Sequence, residues 1–253
     1  MTTEQISDQF LGFETGSVLT VTGGASGIGR ATVEQAARLG LSVAVWDING
    51  AAAAEVAAAQ REAGLNATAY TVDVTDRAQI RDAFARTSAE LGPVSLLFSN
   101  AGPAQFTDAS FPAGITASLG SMGLVTEAWL ETLGSADGSI VFTASVAGNV
   151  GAAGAKPWYP AAKAGIGGYT RWLSVHRPNG IRANAVLPGS IETPRTADDL
   201  ATAAGRERSA RNPLGRAGKP AEIAAAALFL LSPAASYVNG ALLIVDGGMS
   251  NVW

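Results

Sequence analysis

Thr22-Gly23-Gly24-Ala25-Ser26-Gly27-Ile28-Gly29 is the stretch that sets the reading of this chain. It follows a short Val, Leu and Thr run at 18–22 and opens into a helical spacing over 29–39. A glycine-rich turn between a strand and a helix lets the backbone approach a pyrophosphate closely. The unpaired N–H groups and positive dipole end of the helix then favour the phosphates. Tight turns of purely structural purpose use the same residues, so the motif takes its meaning from what surrounds it.

Further along the chain, short runs rich in Val, Ile and Leu alternate with longer stretches of helical period. Strands are expected at 18–22, 42–46, 68–72, 94–99, 139–143, 182–187 and 241–245. Helices are expected at 29–39, 51–63, 77–91, 119–133, 159–175 and 221–231. Repeated βαβ units of this kind specify an α/β fold, a doubly wound Rossmann-type parallel sheet of about seven strands with helices on both faces. The whole of 1–253 reads as one domain, with 1–16 as an N-terminal leader and 194–219 as a substrate-loop region. The Ala-rich run 51–59 gains a polar face from Glu55, Gln60, Arg61 and Glu62, which suits a surface helix. Segments 103–122 and 194–219 lack a clear period and are expected as loops or short helices. Both follow the carboxyl ends of strands, where open sheets bind ligands, so they are the expected substrate walls.

Composition narrows the function classes. The 253 residues are 47% hydrophobic and 15% charged, which suits a packed core and not a disordered chain. Net charge is −4 and the 17 basic residues are scattered, so nucleic acid is not an expected partner. There is no cysteine and only His176 as histidine, so neither disulfides nor a thiolate or histidine metal site is expected. The leader lacks the basic and apolar regions of a signal peptide, and no apolar run reaches the roughly 18 to 20 residues of a membrane span. A cytoplasmic location without membrane contact is expected.

Asp47 closes the second strand about twenty residues after the glycine motif, where a carboxylate can accept hydrogen bonds from the adenosine ribose hydroxyls of NAD. The same carboxylate repels the 2′-phosphate of NADP, and neither Ser26 nor Ile48 offers an offsetting arginine. An aspartate here could instead cap the following helix, and position alone does not separate the two.

Tyr159-Pro160-Ala161-Ala162-Lys163 sets a phenol and an ammonium four residues apart on one helix face, with Pro160 tolerated in the first turn. Free tyrosine titrates near 10. A neighbouring cation is what makes it an acid/base at working pH, and Lys163 supplies that cation. A surface tyrosine beside a solvated lysine has the same spacing.

With these residues in view, the sequence resembles the short-chain dehydrogenase/reductase family from Val18 to Gly248. The resemblance rests on the Thr22–Gly29 motif, Asp73-Val74, Asn100-Ala101-Gly102, Ser145, the Tyr159/Lys163 pair, Pro188-Gly189 with Thr193, and Asp246-Gly247-Gly248. It implies that Tyr159 is the acid/base, that Ser145 hydrogen-bonds the substrate oxygen, and that Lys163 tunes Tyr159 and holds the nicotinamide ribose. It implies that Gly23, Ser26, Gly27, Ile28 and Gly29 cradle the cofactor and Asp47 and Ile48 its adenosine end. Asp73 and Val74 would meet the adenine. Asn100, Ala101 and Gly102 complete the cradle, and Pro188, Gly189, Ile191 and Thr193 the nicotinamide side. A homotetramer built from the helices at 119–133 and 159–175 and the last strand is also implied.

The sequence departs from the family pattern as well. The catalytic asparagine of the family falls at Ser118, with Gly120 as the nearest competitor, so the proton relay would use Ser118 or another water. Ser99 replaces an asparagine, and the segment after Gly102 is several residues short, which suggests an open substrate entrance. The function implied is an NAD-dependent oxidoreductase acting on a small secondary alcohol or ketone. Two alternatives stay open, a 3-oxoacyl thioester reductase whose Arg195 to Arg216 segment meets an acidic carrier, and a catalytically weak dinucleotide sensor. His176 reads as a helix-terminal residue. Among Trp46, Trp129, Trp158, Trp172 and Trp253, Trp158 is the one expected near substrate, and Trp129, Leu130, Trp172 and Leu173 carry more apolar surface than an exposed helix needs.

Overall fold

The computed structural model describes residues 10–105, 107–134, 137–150 and 155–252. The first nine residues of the leader and Trp253 therefore lie outside the described residues. Seven strands form one parallel sheet: β1 Val18–Thr22, β2 Ser42–Asp47, β3 Ala67–Thr71, β4 Val94–Ser99, β5 Ser139–Thr143, β6 Arg182–Pro188 and β7 Leu242–Val245. Their order is β3-β2-β1-β4-β5-β6-β7, so the winding reverses between β1 and β4. In register, Val18 pairs with Ser42 on one side and Val94 on the other. A ligand crevice is expected at that reversal, beyond the carboxyl ends of the strands.

The strands are continuous apolar runs because both faces are covered. On one face Trp46, Phe84, Phe142 and Trp129 pack together, with Trp46 and Phe84 ring centroids 4.4 Å apart. Their indoles are satisfied, Trp46 donating to Thr87 Oγ1 at 3.3 Å and Trp129 to the Val94 carbonyl at 2.8 Å. On the other face Leu19, Val33, Val45, Ile223 and Leu228 form the second core. Trp129 and Leu173 are fully buried, so their apolar surface packs inward instead of facing a partner.

The covering helices are α1 Gly27–Arg38, α2 Gly50–Glu62, α3 Arg77–Leu91, α4 Phe111–Ile115, α5 Ser121–Leu133, α6 Trp158–His176, α7 Ala197–Ala201, α8 Ala203–Ala210 and α9 Pro220–Leu231. Segment 103–122, expected as loops or short helices, contains a short helix and a π turn among its described residues. Ser110 caps α4, and a π turn, Thr116–Gly120, joins α4 to α5. The wider π turn hides the helical period that a regular count would look for. Segment 194–219 contains the two short helices α7 and α8. Among the described residues no helix is long and apolar enough to cross a membrane.

Candidate active site

At the carboxyl end of β1 the chain turns at Gly23, whose φ of +66° favours glycine, and enters α1. Gly29, one turn into the helix, lies against the Gly23 carbonyl, and any Cβ there would collide with it. This contact lets the first turn of α1 point its free N–H groups over the glycine loop. Ser26 stands at the N-cap position of α1, yet its hydroxyl caps nothing in the helix.

Asp47, at the end of β2, accepts hydrogen bonds from Ala25 N at 3.1 Å and Asn49 N at 3.0 Å. The capping alternative is overturned: Asn49, not Asp47, is the N-cap of α2, its side chain accepting from Ala52 N at 3.2 Å. Asp47 thus holds its carboxylate beside the glycine loop.

Asn100, just past β4, ties the two ends of the site together. Its Nδ2 donates to the Thr22 carbonyl at 3.2 Å and the Gly23 carbonyl at 3.4 Å, and its Oδ1 accepts from Thr143 Oγ1 at 3.0 Å. The Thr143 carbonyl in turn accepts from Lys163 Nζ at 2.7 Å. A continuous set of hydrogen bonds therefore runs from the glycine loop through β4 and β5 to α6.

Tyr159 and Lys163 lie one turn apart on α6, with the Lys163 ammonium 5.6 Å from the Tyr159 ring centroid. Burial lowers the Lys163 pKa to about 7, with the Arg195 charge adding to the effect. Burial likewise pushes the Tyr159 phenol above its ordinary value, while the Ser145 hydroxyl and Arg195 pull it back. The cation that opposes burial at Tyr159 is therefore Arg195, which the sequence marks only as one arginine of the 194–219 segment. Ser145 starts a single 3-10 turn after β5, its Oγ accepting from Ala147 N at 3.1 Å. Trp158 does not line the cleft. It is fully buried against Gly114 and meets the Tyr159 ring edge-on at 5.6 Å, so it supports the tyrosine from behind.

These groups share one cleft of about 510 Å³. Of the residues singled out in the sequence, Ser145, Tyr159 and Lys163 line it at one end and Asp47, Ile48, Asp73 and Val74 at the other. Gly23, Ser26, Gly27, Ile28, Asn100, Ala101, Gly102, Pro188, Gly189, Ile191 and Thr193 line it as well. Two stand behind the wall. Gly29 packs under the loop, and Ser118 is buried in the π turn with a hydroxyl that finds no partner among the described residues, while Ala117 forms the wall. Among the described residues no three His, Asp or Glu side chains gather as metal ligands would.

A family model described as enoyl-(acyl carrier protein) reductase matches residues 23–250. The chain belongs to the short-chain dehydrogenase/reductase family. This short-chain dehydrogenase/reductase is 39% identical over 244 residues to the cis-4-hydroxycyclohexanecarboxylate dehydrogenase of Sinomonas cyclohexanicum, covering 93% of this chain and 97% of the other. It is 35% identical to the 3-oxoacyl-acyl-carrier-protein reductase of Thermotoga maritima, covering 92% and 98%. The crystal structure of levodione reductase matches with a TM-score of 0.87 at 34% identity, over 95% of this chain and 100% of that one. As a short-chain dehydrogenase/reductase it is an oxidoreductase of a family that works with NAD or NADP on small molecules.

Several residues of this short-chain dehydrogenase/reductase site were missed in the sequence. Thr143 contributes a carbonyl, which any residue type carries, so only the strand end marks it. Gln105 lines the cleft from the expected wall segment 103–122, Val150 from a stretch without a motif, and Met249 from just beyond Asp246-Gly247-Gly248. His176 ends α6, its Nδ1 against the Trp172 carbonyl at 2.8 Å, a structural place far from the cleft lining.

Proposed function

We propose that the protein is an NAD-dependent dehydrogenase/reductase that moves hydride between nicotinamide and a secondary alcohol or its ketone. The observation that carries this is the convergence of Ser145, Tyr159 and Lys163 in one cleft whose far end holds the Asp47 carboxylate. The residues present fit a nicotinamide dinucleotide. The close Gly29 to Gly23 contact, the uncommitted Ser26 hydroxyl and the helix N-terminus suit a diphosphate. Asp47 suits ribose hydroxyls and opposes a 2′-phosphate. Gly27, Ile28 and Gly29 would support the diphosphate, and Ile48, Asp73 and Val74 the adenine. Asn100, Ala101, Gly102, Pro188, Gly189, Ile191 and Thr193 would support the nicotinamide half.

When bound, the nicotinamide supplies the hydride acceptor or donor. Tyr159 takes the proton from the substrate hydroxyl in oxidation and returns it to the carbonyl oxygen in reduction. Ser145 donates to that oxygen and steadies its developing charge. The Lys163 ammonium, held by Thr143, stabilises the phenolate that Tyr159 must become. Ser118 stands in the place of the asparagine of the family. Its hydroxyl, buried behind Gly102 and Ala117, would join the relay toward Lys163 through a water passing that wall.

A ring-bearing secondary alcohol is supported by the relative from Sinomonas cyclohexanicum, and a 3-oxoacyl thioester by the relative from Thermotoga maritima. The carrier-docking part of the second reading loses ground. Arg208, Arg211 and Arg216 are each paired with an acid of this chain, which leaves Arg195 and Arg206 as the arginines of the segment without an acidic partner among the described residues. Assembly as a homotetramer in the cytoplasm belongs to the same proposal. Trp172, Val175, Leu243 and Ile244 are exposed on α6 and β7, which supports an interface there.

The test is titration with NADH and NADPH followed by nicotinamide fluorescence, then turnover on secondary alcohols and on a 3-oxoacyl thioester. NADH preference with alcohol turnover is expected. NADPH preference with thioester turnover would replace the reading, and binding without turnover would make the protein a sensor.

A further inference from the structure

Three cations line the cleft among the described residues, and their surroundings differ. Lys163 is buried and donates to the Thr143 carbonyl at 2.7 Å. Arg208 is ion-paired with Asp199. Arg195 faces the same cleft, exposed, with no hydrogen bond and no ion pair among the described residues. Its neighbours along the segment are all occupied. Arg206 donates to the Ala201 carbonyl, Arg211 pairs with Glu207 at 2.7 Å, and Arg216 pairs with Glu222 at 2.6 Å.

Arg195 lines the cleft that Ser145, Tyr159 and Lys163 also line. Burial chiefly sets the low Lys163 and high Tyr159 values, and the Arg195 charge adds to the first and opposes the second. From that cleft wall the guanidinium charge bears on both members of the acid/base pair. The wall of the same cleft includes Ala104, Ala117, Val150 and Met249, which suit a hydrocarbon body and offer no charge. A guanidinium presents parallel N–H donors that match the two oxygens of one carboxylate. A phosphate usually gathers several cationic donors, and here Lys163 and Arg208 are already engaged.

We propose that Arg195 selects substrates carrying a carboxylate on a compact apolar skeleton, holding the carboxylate while the hydroxyl or carbonyl carbon sits at Tyr159 and Ser145. This rests on the dehydrogenase reading above and narrows it to hydroxy and oxo acids. In it Arg195 is a specificity residue, and the chemistry stays with Tyr159.

The test compares cyclohexanecarboxylate with cyclohexanecarboxamide as ligands of the full chain with NADH bound, reading nicotinamide fluorescence. The wild type, Arg195→Gln and Arg195→Lys are measured side by side. In Arg195→Gln the carboxylate is expected to bind roughly 10- to 100-fold more weakly, the scale of one charge-assisted bidentate contact. The carboxamide should weaken no more than about threefold, and Arg195→Lys should recover part of the difference. Equal weakening of both ligands, or of neither, overturns the proposal. A matching loss of NADH affinity also overturns it, because it would assign Arg195 to the cofactor diphosphate.

Turnover gives the second arm. The wild type is expected to prefer 4-hydroxycyclohexanecarboxylate over its methyl ester by roughly tenfold or more in kcat/KM, and Arg195→Gln to abolish the preference. An ester turned over as well as the acid overturns the carboxylate assignment. If neither alcohol is turned over, the dehydrogenase reading fails, and the ligand comparison still decides whether Arg195 recognises a carboxylate.

Discussion

The ammonium of Lys163 donates to the carbonyl of Thr143 at 2.7 Å, so among the described residues the buried cation of the site is fixed by a strand end and not by a carboxylate. With no anion beside it, burial brings its pKa from 10.5 down to about 7. Between those values the unfolded chain binds a proton that the folded chain does not, so this group makes stability rise as pH increases from about 7 to 10.5. Below pH 7 both states are protonated and the full cost of burying the charge is present. Lys163→Met removes that cost. Its unfolding free energy relative to wild type should therefore be most favourable near pH 6 and fall steadily toward pH 9.5 in urea titrations. A pH-independent difference would contradict the low pKa. The same variant should lose roughly 100-fold or more in kcat/KM.

Tyr159→Phe keeps the ring that packs edge-on against Trp158 and removes only the phenol oxygen. Turnover should fall by about three orders of magnitude, with NADH affinity within about threefold of wild type. Activity close to wild type would displace Tyr159 from the acid/base role.

Asp47→Ser removes the carboxylate proposed to meet the adenosine ribose while leaving Asn49 to cap α2. NADH affinity should drop roughly tenfold and the NADH over NADPH preference by more than that, since the repulsion of a 2′-phosphate disappears too. An unchanged cofactor ratio in the fluorescence titration would locate the discrimination elsewhere.

Ser118→Ala deletes a buried hydroxyl that has no partner among the described residues, so folding stability should change by less than about 1 kcal/mol. A roughly three- to tenfold fall in kcat, with KM and NADH affinity unchanged, is expected if that hydroxyl holds relay water. Loss of stability without loss of kcat would make it structural only.

Trp172→Glu places a charge at the exposed Trp172, which stacks between His176 and the partly buried Tyr169, the Trp172 and His176 rings lying 4.2 Å apart. Light scattering should show the assembly dissociating into smaller species while the monomer stays folded. A wild-type monomer would remove the tetramer from the proposal.

The order of strands and helices was legible because burial on both faces forces apolar runs, and the glycine, Asp47 and Tyr159/Lys163 positions were legible because their chemistry restricts residue type. Thr143 was not, since a backbone carbonyl leaves no trace in side-chain identity. Trp158 was read toward the substrate because it adjoins Tyr159. Neighbouring helical residues point about 100° apart, and this one turns to Gly114 and the core. The apolar excess read from Trp129 and Leu173 was a core signal, whereas Trp172 on the same helix as Leu173 is half exposed. Arg195 was visible only as one of several arginines, because which of them find acids depends on the fold of α7 and α8.

The π turn Thr116–Gly120 holds one residue more than a regular helix would in its place. One residue corresponds to about 100° of rotation. Deleting one position there, with the regular ladder restored, would swing α4 around the axis of α5, carrying Gly114 off the Trp158 ring and Ala117 off the cleft wall. A length change of a single codon is thus a route by which descendants of this chain could reshape their binding chamber while Met122, Val125 and Trp129 keep their seats in the core.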